Sequence, residues 1–294
     1  MQSKALLVGV NDYAPVGAGG PDLRGCVNDV RDMAHTLVAL RYISPVPASL
    51  RILTDANATR AKILEGLEWL IRGARRDDRL IFYFSGHGSM IPDTSGDETV
   101  DAKDETICPH DYATSGMLRD DDLRTVLNRV PKGVNMEVIL DTCHAGTGTR
   151  EMAAIAATPE DEAVTYRYVE PPIDLGFFIA EHPDLPVREF LNPSEFEKLA
   201  TNGGTEREVV IVPALNHVLW AACRSYQTSA ETKIEGVYRG VFTYWFCRDL
   251  RRAGTPVTRR QLDSLVSADV KAHGFAQVPQ VEGTAADIAE KIFA

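Results

Sequence analysis

An α/β fold, a three-layer sandwich with a mostly parallel central sheet of about six strands flanked by helices, is the class this sequence predicts. Three observations carry the prediction. Short apolar runs alternate with amphipathic helical segments along the chain. Two of those runs, 79–84 (RLIFYF) and 135–140 (NMEVIL), are apolar almost throughout and too short for helices, as strands buried on both faces are. Both end in tight turns that contain glycine.

The elements follow in order. Residues 4–10 read as a first buried strand, followed by Asn11-Asp12-Tyr13 and a Gly/Pro-rich loop to Pro21. Val30, Met33, Ala34, Leu37 and Leu40 recur at helical spacing and predict a helix over 28–40. A short strand is expected at 51–53. A second helix, 59–71, carries Ile63, Leu64, Leu67 and Leu70 on one face. After the strand at 79–84 come a short strand at 106–108 and a helix over 120–130. The strand at 135–140 leads into residues 147–209, which lack clear periodicity. A structureless loop of that length is uncommon in a compact domain unless it is functional or processed. Beyond it lie a strand at 218–222 and helices over 241–250 and 260–271.

Composition narrows the function classes. The 294 residues are 44% hydrophobic and 25% charged, enough for a sizeable core without staples. No run approaches the ~18 apolar residues of a membrane span, and the apolar run near Met1 is too short for a signal-peptide core. No membrane association is expected. The five cysteines, an odd number without a CxxC pair, argue against a disulfide framework or a structural zinc site. Isolated thiols fit a reducing compartment, and a cytoplasmic location is expected. A net charge of −11 speaks against nucleic-acid binding, which needs cations to replace phosphate counterions. Between Asp93 and Asp122 there are ten acidic and two basic residues, so the charge is concentrated.

In parallel sheets, ligands sit at the carboxyl ends of the strands. His87, flanked by Gly86 and Gly88, follows one buried strand, and Cys143, with Gly146 close by, follows another. A thiol attacks a carbonyl only as thiolate and needs an imidazole or other cationic influence to ionise near neutral pH. The pair therefore reads as nucleophile and base, with the amides of Gly88 and Cys143 available to a developing oxyanion. His144 is a rival base, but adjacent side chains diverge. A serine hydrolase is disfavoured because no GxSxG elbow occurs.

The motifs carrying this chemistry are YFSGHG (Tyr83 to Gly88) and DTCHAG (Asp141 to Gly146). Two more occur in LRGCVND (Leu23 to Asp29) and QTSA (Gln227 to Ala230). Together, in this order, they resemble the signatures of metacaspases and their bacterial relatives, the orthocaspases. His87 and Cys143 lie 56 residues apart, close to the ~50 of caspases. The resemblance spans roughly residues 4–250. It implies a single caspase-like domain over 1–294. Residues 1–146 would correspond to the large subunit, 147–209 to a linker or insertion, and 210–294 to the small subunit.

Caspases hold aspartate in a basic pocket and have Gln two residues before the nucleophile. Asp141 stands there in this chain, and a carboxylate in that place binds a cation. The resemblance implies cleavage after Arg or Lys, with a pocket built from Cys26, Asp29, Ser85 and Asp141. Each also has a plainer reading: a first-turn helix acid for Asp29, turn residues for Ser85 and Asp141, and packing for Cys26. An acid that many metacaspases carry shortly before QTSA is replaced by Ser225 or Tyr226. This leaves Arg against Lys open. The resemblance also implies Ca²⁺ held by Asp104, Asp120 and Asp121, the alternative being a solvated acidic loop. The family's fourth acid falls near Arg150, where only Glu151, one position later, could substitute. Arg150, Arg167, Arg188 and Arg207 are candidate self-processing sites. Expected partners are protein or peptide substrates, and the expected state is a monomer. The alternative function is a catalytically silent interaction module or a regulated zymogen.

Overall fold

A computed structural model of the chain describes residues 1–13, 22–92, 103–143, 164–167, 169, 217–224 and 227–294, with the side chains at 90–92 and 103–104 excepted. Its central sheet has six strands in the order β12-β9-β7-β3-β1-β2. They are β1 (Ser3–Gly9), β2 (Leu50–Thr54), β3 (Arg79–Ser85), β7 (Asn135–Asp141), β9 (Val218–Ala221) and β12 (Gln280–Glu282). All neighbours are parallel except β12 against β9. The predicted mostly parallel sheet of six strands is present.

Period-two alternation along the strands divides the core into two layers. Leu6, Val8, Leu80, Phe82, Phe84, Met136, Val138 and Leu140 face one side, with α2 (Arg60–Ile71) and α4 (Asp120–Leu127) over them. Ala5, Leu7, Ile81, Tyr83, Ile139 and Trp220 face the other. There α1 (Cys26–Ala39), α5 (Val241–Ala253) and α6 (Arg259–Ala272) cover them. The one charged residue inside the apolar run of β7, Glu137, is buried and compensated. It accepts from Trp220 Nε1 at 2.8 Å and from Arg259 Nε at 2.7 Å.

Local chemistry sets the helix ends. Thr59 caps α2 by accepting from the Lys62 amide, and Thr258 with Gln261 forms a reciprocal capping box on α6. The helix expected to reach 130 stops at Leu127, ahead of Pro131. The strand expected at 106–108 is longer and earlier. It is β5 (Lys103–Ile107), between β4 (Gly88–Pro92) and β6 (Leu118–Arg119) in a small antiparallel sheet.

A third sheet consists of β11 (Val237–Gly240), β10 (Ala230–Ile234) and β8 (Thr165–Tyr166). Its hairpin turn places Glu235 and Gly236 both at positive φ, the geometry that a two-residue hairpin turn requires. Two short helices, α3 (Tyr112–Ser115) and α7 (Ala285–Ala289), and a 3₁₀ turn at Asp55–Asn57 complete the described elements. Of the stretch 147–209, only 164–167 and 169 are described. Among the described residues no helix is long and apolar enough to cross a membrane.

Candidate active site

The site begins with strand register. β3 and β7 are parallel with Ser85 opposite Asp141, so His87 and Cys143 each lie two residues beyond paired positions. Both side chains are buried. The two turns touch: a Cβ on Gly88 would lie 2.1 Å from the Cys143 carbonyl oxygen and 2.4 Å from Thr142 Oγ1. Glycine at 88 is therefore required by space. The His87 amide donates to Tyr13 Oη at 2.7 Å, and its carbonyl accepts from the Cys108 amide at 2.9 Å. Cys143 Sγ rests on the peptide of Ser229, accepting from its amide at 2.5 Å and lying 3.1 Å from its carbonyl oxygen. His144 and Gly146 fall outside the described residues.

Beneath these turns lies an anionic pocket that contains a cation from the chain itself. Arg167 is fully buried. Its Nη2 is 2.6 Å from Asp29 Oδ2 and 3.5 Å from Glu231 Oε2. Its Nη1 is 3.0 Å from Asp141 Oδ1, and it donates to Ser85 Oγ at 2.8 Å and to the Asp141 carbonyl at 3.1 Å. The carboxylates are themselves fixed. Asp29 accepts from the Gly240 amide and from Ser85 Oγ. Asp141 accepts from Ser229 Oγ at 2.8 Å and from Thr243 Oγ1 at 2.6 Å. Glu231 accepts from the amides of Arg24 and Gly25. Buried carboxylates are tolerated only when paired and hydrogen-bonded in this way.

The backbone of Arg167 is held as firmly as its side chain. Its carbonyl oxygen accepts from the Gly88 amide at 2.9 Å and, more loosely, from the Cys143 amide at 3.4 Å. Its own amide donates to the Ser229 carbonyl at 3.1 Å. Just before it, Thr165 and Tyr166 pair antiparallel with Glu231 and Ala230. Just after it, the Val169 amide donates to the Gly88 carbonyl at 3.1 Å. Residues 165–167 and 169 thus bond to both turns and to β10, with two amides on the Arg167 carbonyl oxygen. That arrangement can stabilise negative charge developing on the oxygen.

Electrostatics follow from burial. The Asp29 carboxyl is raised to about 7, chiefly by burial, against the opposing pull of the Arg167 guanidinium. Arg167 is raised well above its ordinary value: burial alone would lower it, and Asp141, Cys26, Asp29 and Glu231 outweigh that. Burial pushes the Cys26 thiol well up, so in the pocket wall it is a neutral, compact group. The Cys223 thiol is also raised, first by its hydrogen bond with Cys143 and then by burial.

Cys26, Asp29, Ser85 and Asp141, the residues expected to line the pocket, therefore surround one guanidinium. Asp29 does this from the first turn of α1, so its helix-acid and pocket roles coincide. Asp120 and Asp121 open α4, and both pair with Arg124, at 2.8 and 3.0 Å. Thr106 of β5 faces Arg119, which brings the backbone of Asp104 to the same edge; its side chain is outside the described residues, as are Arg150 and Glu151. Among the described residues no three His, Cys, Asp or Glu side chains cluster as a metal site. Carboxylates are the ligands that a hard cation such as Ca²⁺ takes, and two of the three expected here, Asp120 and Asp121, are paired with Arg124.

Sequence reasoning missed three contributors. The resemblance places a further acid before QTSA, where this chain has Ser225 and Tyr226; Glu231 stands immediately after QTSA. Gly240 carries no motif, yet a Cβ there would lie 2.3 Å from Asp141 Oδ2 and 2.7 Å from both Arg167 Nη atoms. Tyr13 belongs to the Asn11-Asp12-Tyr13 run that follows the first strand, where no sequence pattern marks a role.

Comparison with known proteins bears on the family and the fold. A family profile described as metacaspase, peptidase C14 domain matches residues 3–150. Metacaspase-1B of Aspergillus oryzae is 34% identical over 263 residues, 84% of this chain and 60% of that protein. Metacaspase-1 of Coccidioides immitis is 30% identical over 290 residues, 95% of this chain and 60% of that protein. The chain thus spans about 60% of the length of these relatives. A crystal structure of a Geobacter sulfurreducens protein superposes with a TM-score of 0.63 at 24% identity, covering 100% of this chain and 99% of that one. It supports the fold, a caspase-like α/β sandwich.

Proposed function

The chain belongs to the metacaspase family, and from that premise we propose that it is a cysteine endopeptidase cleaving after arginine or lysine, and after its own Arg167. One observation carries this reading. Arg167 fills the anionic pocket while its carbonyl oxygen rests on the amides of Gly88 and Cys143.

The chemistry is as follows. His87 takes the proton of Cys143, and the thiolate attacks the carbonyl carbon of the residue held in the pocket. The tetrahedral oxygen gains charge against the Gly88 and Cys143 amides. His87 returns its proton to the leaving amine as the C–N bond breaks, giving an acyl-enzyme. Water, deprotonated by His87, attacks that thioester; the C–S bond breaks, and the Cys143 sulfur takes the proton back from His87. Thr165–Tyr166 hold the acyl side of the strand through both steps, and Val169, beyond the cut, holds the leaving side up to acylation.

Arginine is favoured over lysine because the two Nη atoms meet different partners, Asp141 with Ser85 and Asp29 with Glu231. A single ammonium cannot occupy both positions. While Arg167 holds the pocket, no second arginine can enter, so the uncut chain is a closed zymogen. Calcium enters this reading as an activator held by Asp104, Asp120 and Asp121 in competition with Arg124.

The test is hydrolysis of matched fluorogenic peptides ending in Arg, Lys or Asp by the wild type and by Cys143→Ala. Cleavage after Arg, weaker after Lys, none after Asp and none at all by the variant is expected. Cleavage after Asp, or full activity in the variant, refutes the reading.

A further inference from the structure

We propose that Tyr13 is a positioning residue for His87, an inference that rests on the peptidase reading above. His87 sits in a Gly-His-Gly turn, where its buried amide has left the β3 ladder and needs a partner. Tyr13 Oη is that partner, accepting at 2.7 Å. The Tyr13 ring also lies against the imidazole, with centroids 5.0 Å apart and planes tilted by 40°. A single side chain thus fixes the backbone of the base and packs against its ring.

Tyr13 is itself fixed from several directions. Tyr112 packs edge-on against it at 5.8 Å. Its amide donates to Asp22 Oδ1, and the amides of Asn11 and Asp12 both donate to Asp55 Oδ1. His110 Nδ1 bonds to the Asp12 carbonyl at 2.5 Å. The approach is close: a Cβ on Gly86 would lie 2.7 Å from Tyr13 Oη. Tyr13 is buried, so water cannot replace the hydroxyl freely.

A base must sit within hydrogen-bond reach of the proton it takes, and misplacement by about 1 Å lowers rate roughly 100-fold. The Cys108 amide still holds the His87 carbonyl when the Tyr13 hydroxyl is removed, so the turn is loosened and not lost. The role is therefore in turnover and in thiolate formation, not in holding the substrate arginine.

The experiment compares wild type with Tyr13→Phe, which removes one oxygen and keeps the ring. Active sites are counted by titration with an arginyl chloromethyl ketone, and kcat and KM for an Arg peptide are measured from pH 5 to 9. The expected result is kcat per active site lower by about 10- to 100-fold. KM should stay within about 2-fold, with the acid limb of kcat/KM moved to higher pH, because a loosely held imidazole stabilises the thiolate less. A merely structural role would reduce the count of active sites and leave kcat per site and the pH profile unchanged; that result overturns the proposal. Should the wild type itself fail to cleave any Arg peptide, the parent reading falls and the inference falls with it.

Discussion

Removing Arg167 from its pocket should destabilise the protein by an amount the site itself sets. Arg167→Ala, made in a Cys143→Ala chain so that neither protein is cut, leaves Asp29, Asp141 and Glu231 without the guanidinium that bridges them. All three are buried, and stripping one partner from a buried ion pair costs about 3–5 kcal/mol. For a chain of this size each kcal/mol lowers Tm by about 2–4 °C, so a fall of roughly 6–20 °C is expected by thermal unfolding.

The penalty must depend on pH in a stated direction. Asp29 is raised to about 7 even beside Arg167, and losing the guanidinium raises it further. The folded variant then keeps a proton that the unfolded chain releases near pH 4, so its stability declines as pH rises through 7 and beyond. The Tm gap between variant and parent widens over that range. Agmatine, which carries a guanidinium on a short alkyl chain, should restore stability by refilling the pocket, by about 2.7 kcal/mol at 100 times its Kd. An unchanged Tm, or a gap flat with pH, refutes the claim that Arg167 neutralises this pocket in solution.

Further consequences follow from the same geometry. Gly240→Ala should lower Tm and abolish cleavage after Arg, since its Cβ would lie 2.3 Å from Asp141 Oδ2; an unchanged Tm with undiminished kcat/KM would contradict this. Glu231→Gln should lower kcat/KM for Arg peptides by about 10-fold and for Lys peptides less, because Oε2 stands 3.5 Å from an Nη2 that lysine lacks; an equal loss on both assigns Glu231 to the Arg24–Gly25 turn alone. Calorimetric titration with Ca²⁺ should show tighter binding in Arg124→Gln than in wild type, since Arg124 pairs with Asp120 and Asp121, and loss of the signal in Asp120→Asn. Absence of heat in both proteins removes calcium from the account. Glu137→Gln should lower stability by several kcal/mol through its buried partners Arg259 and Trp220, without changing kcat.

The sheet was readable because its central strands are buried on both faces. RLIFYF and NMEVIL announce themselves without context. The hairpin β10–β11 was not read, although Glu235-Gly236 between alternating residues is a turn signal. Its strands are short and carry Glu231, Lys233 and Arg239, which blur the apolar pattern. His87 and Cys143 were legible because strand-end turns rich in glycine are a local pattern. Glu231 and Gly240 were not, because their importance is created by Arg167, which is 64 and 73 residues away in sequence. Arg167 itself was one arginine among four candidates. Its ion pairs with Asp29 and Asp141, and the pairing of Thr165 and Tyr166 with Glu231 and Ala230, single it out, and contacts across such a distance leave no mark in a single sequence.

The most direct test is the mass and N-terminal sequence of the purified chain after incubation at neutral pH, beside Cys143→Ala. The account predicts fragments of 167 and 127 residues, a new N-terminus at Tyr168, and an intact Cys143→Ala chain. A cut at another residue, the same cut in Cys143→Ala, or a wild-type chain that stays whole after prolonged incubation with calcium would contradict it.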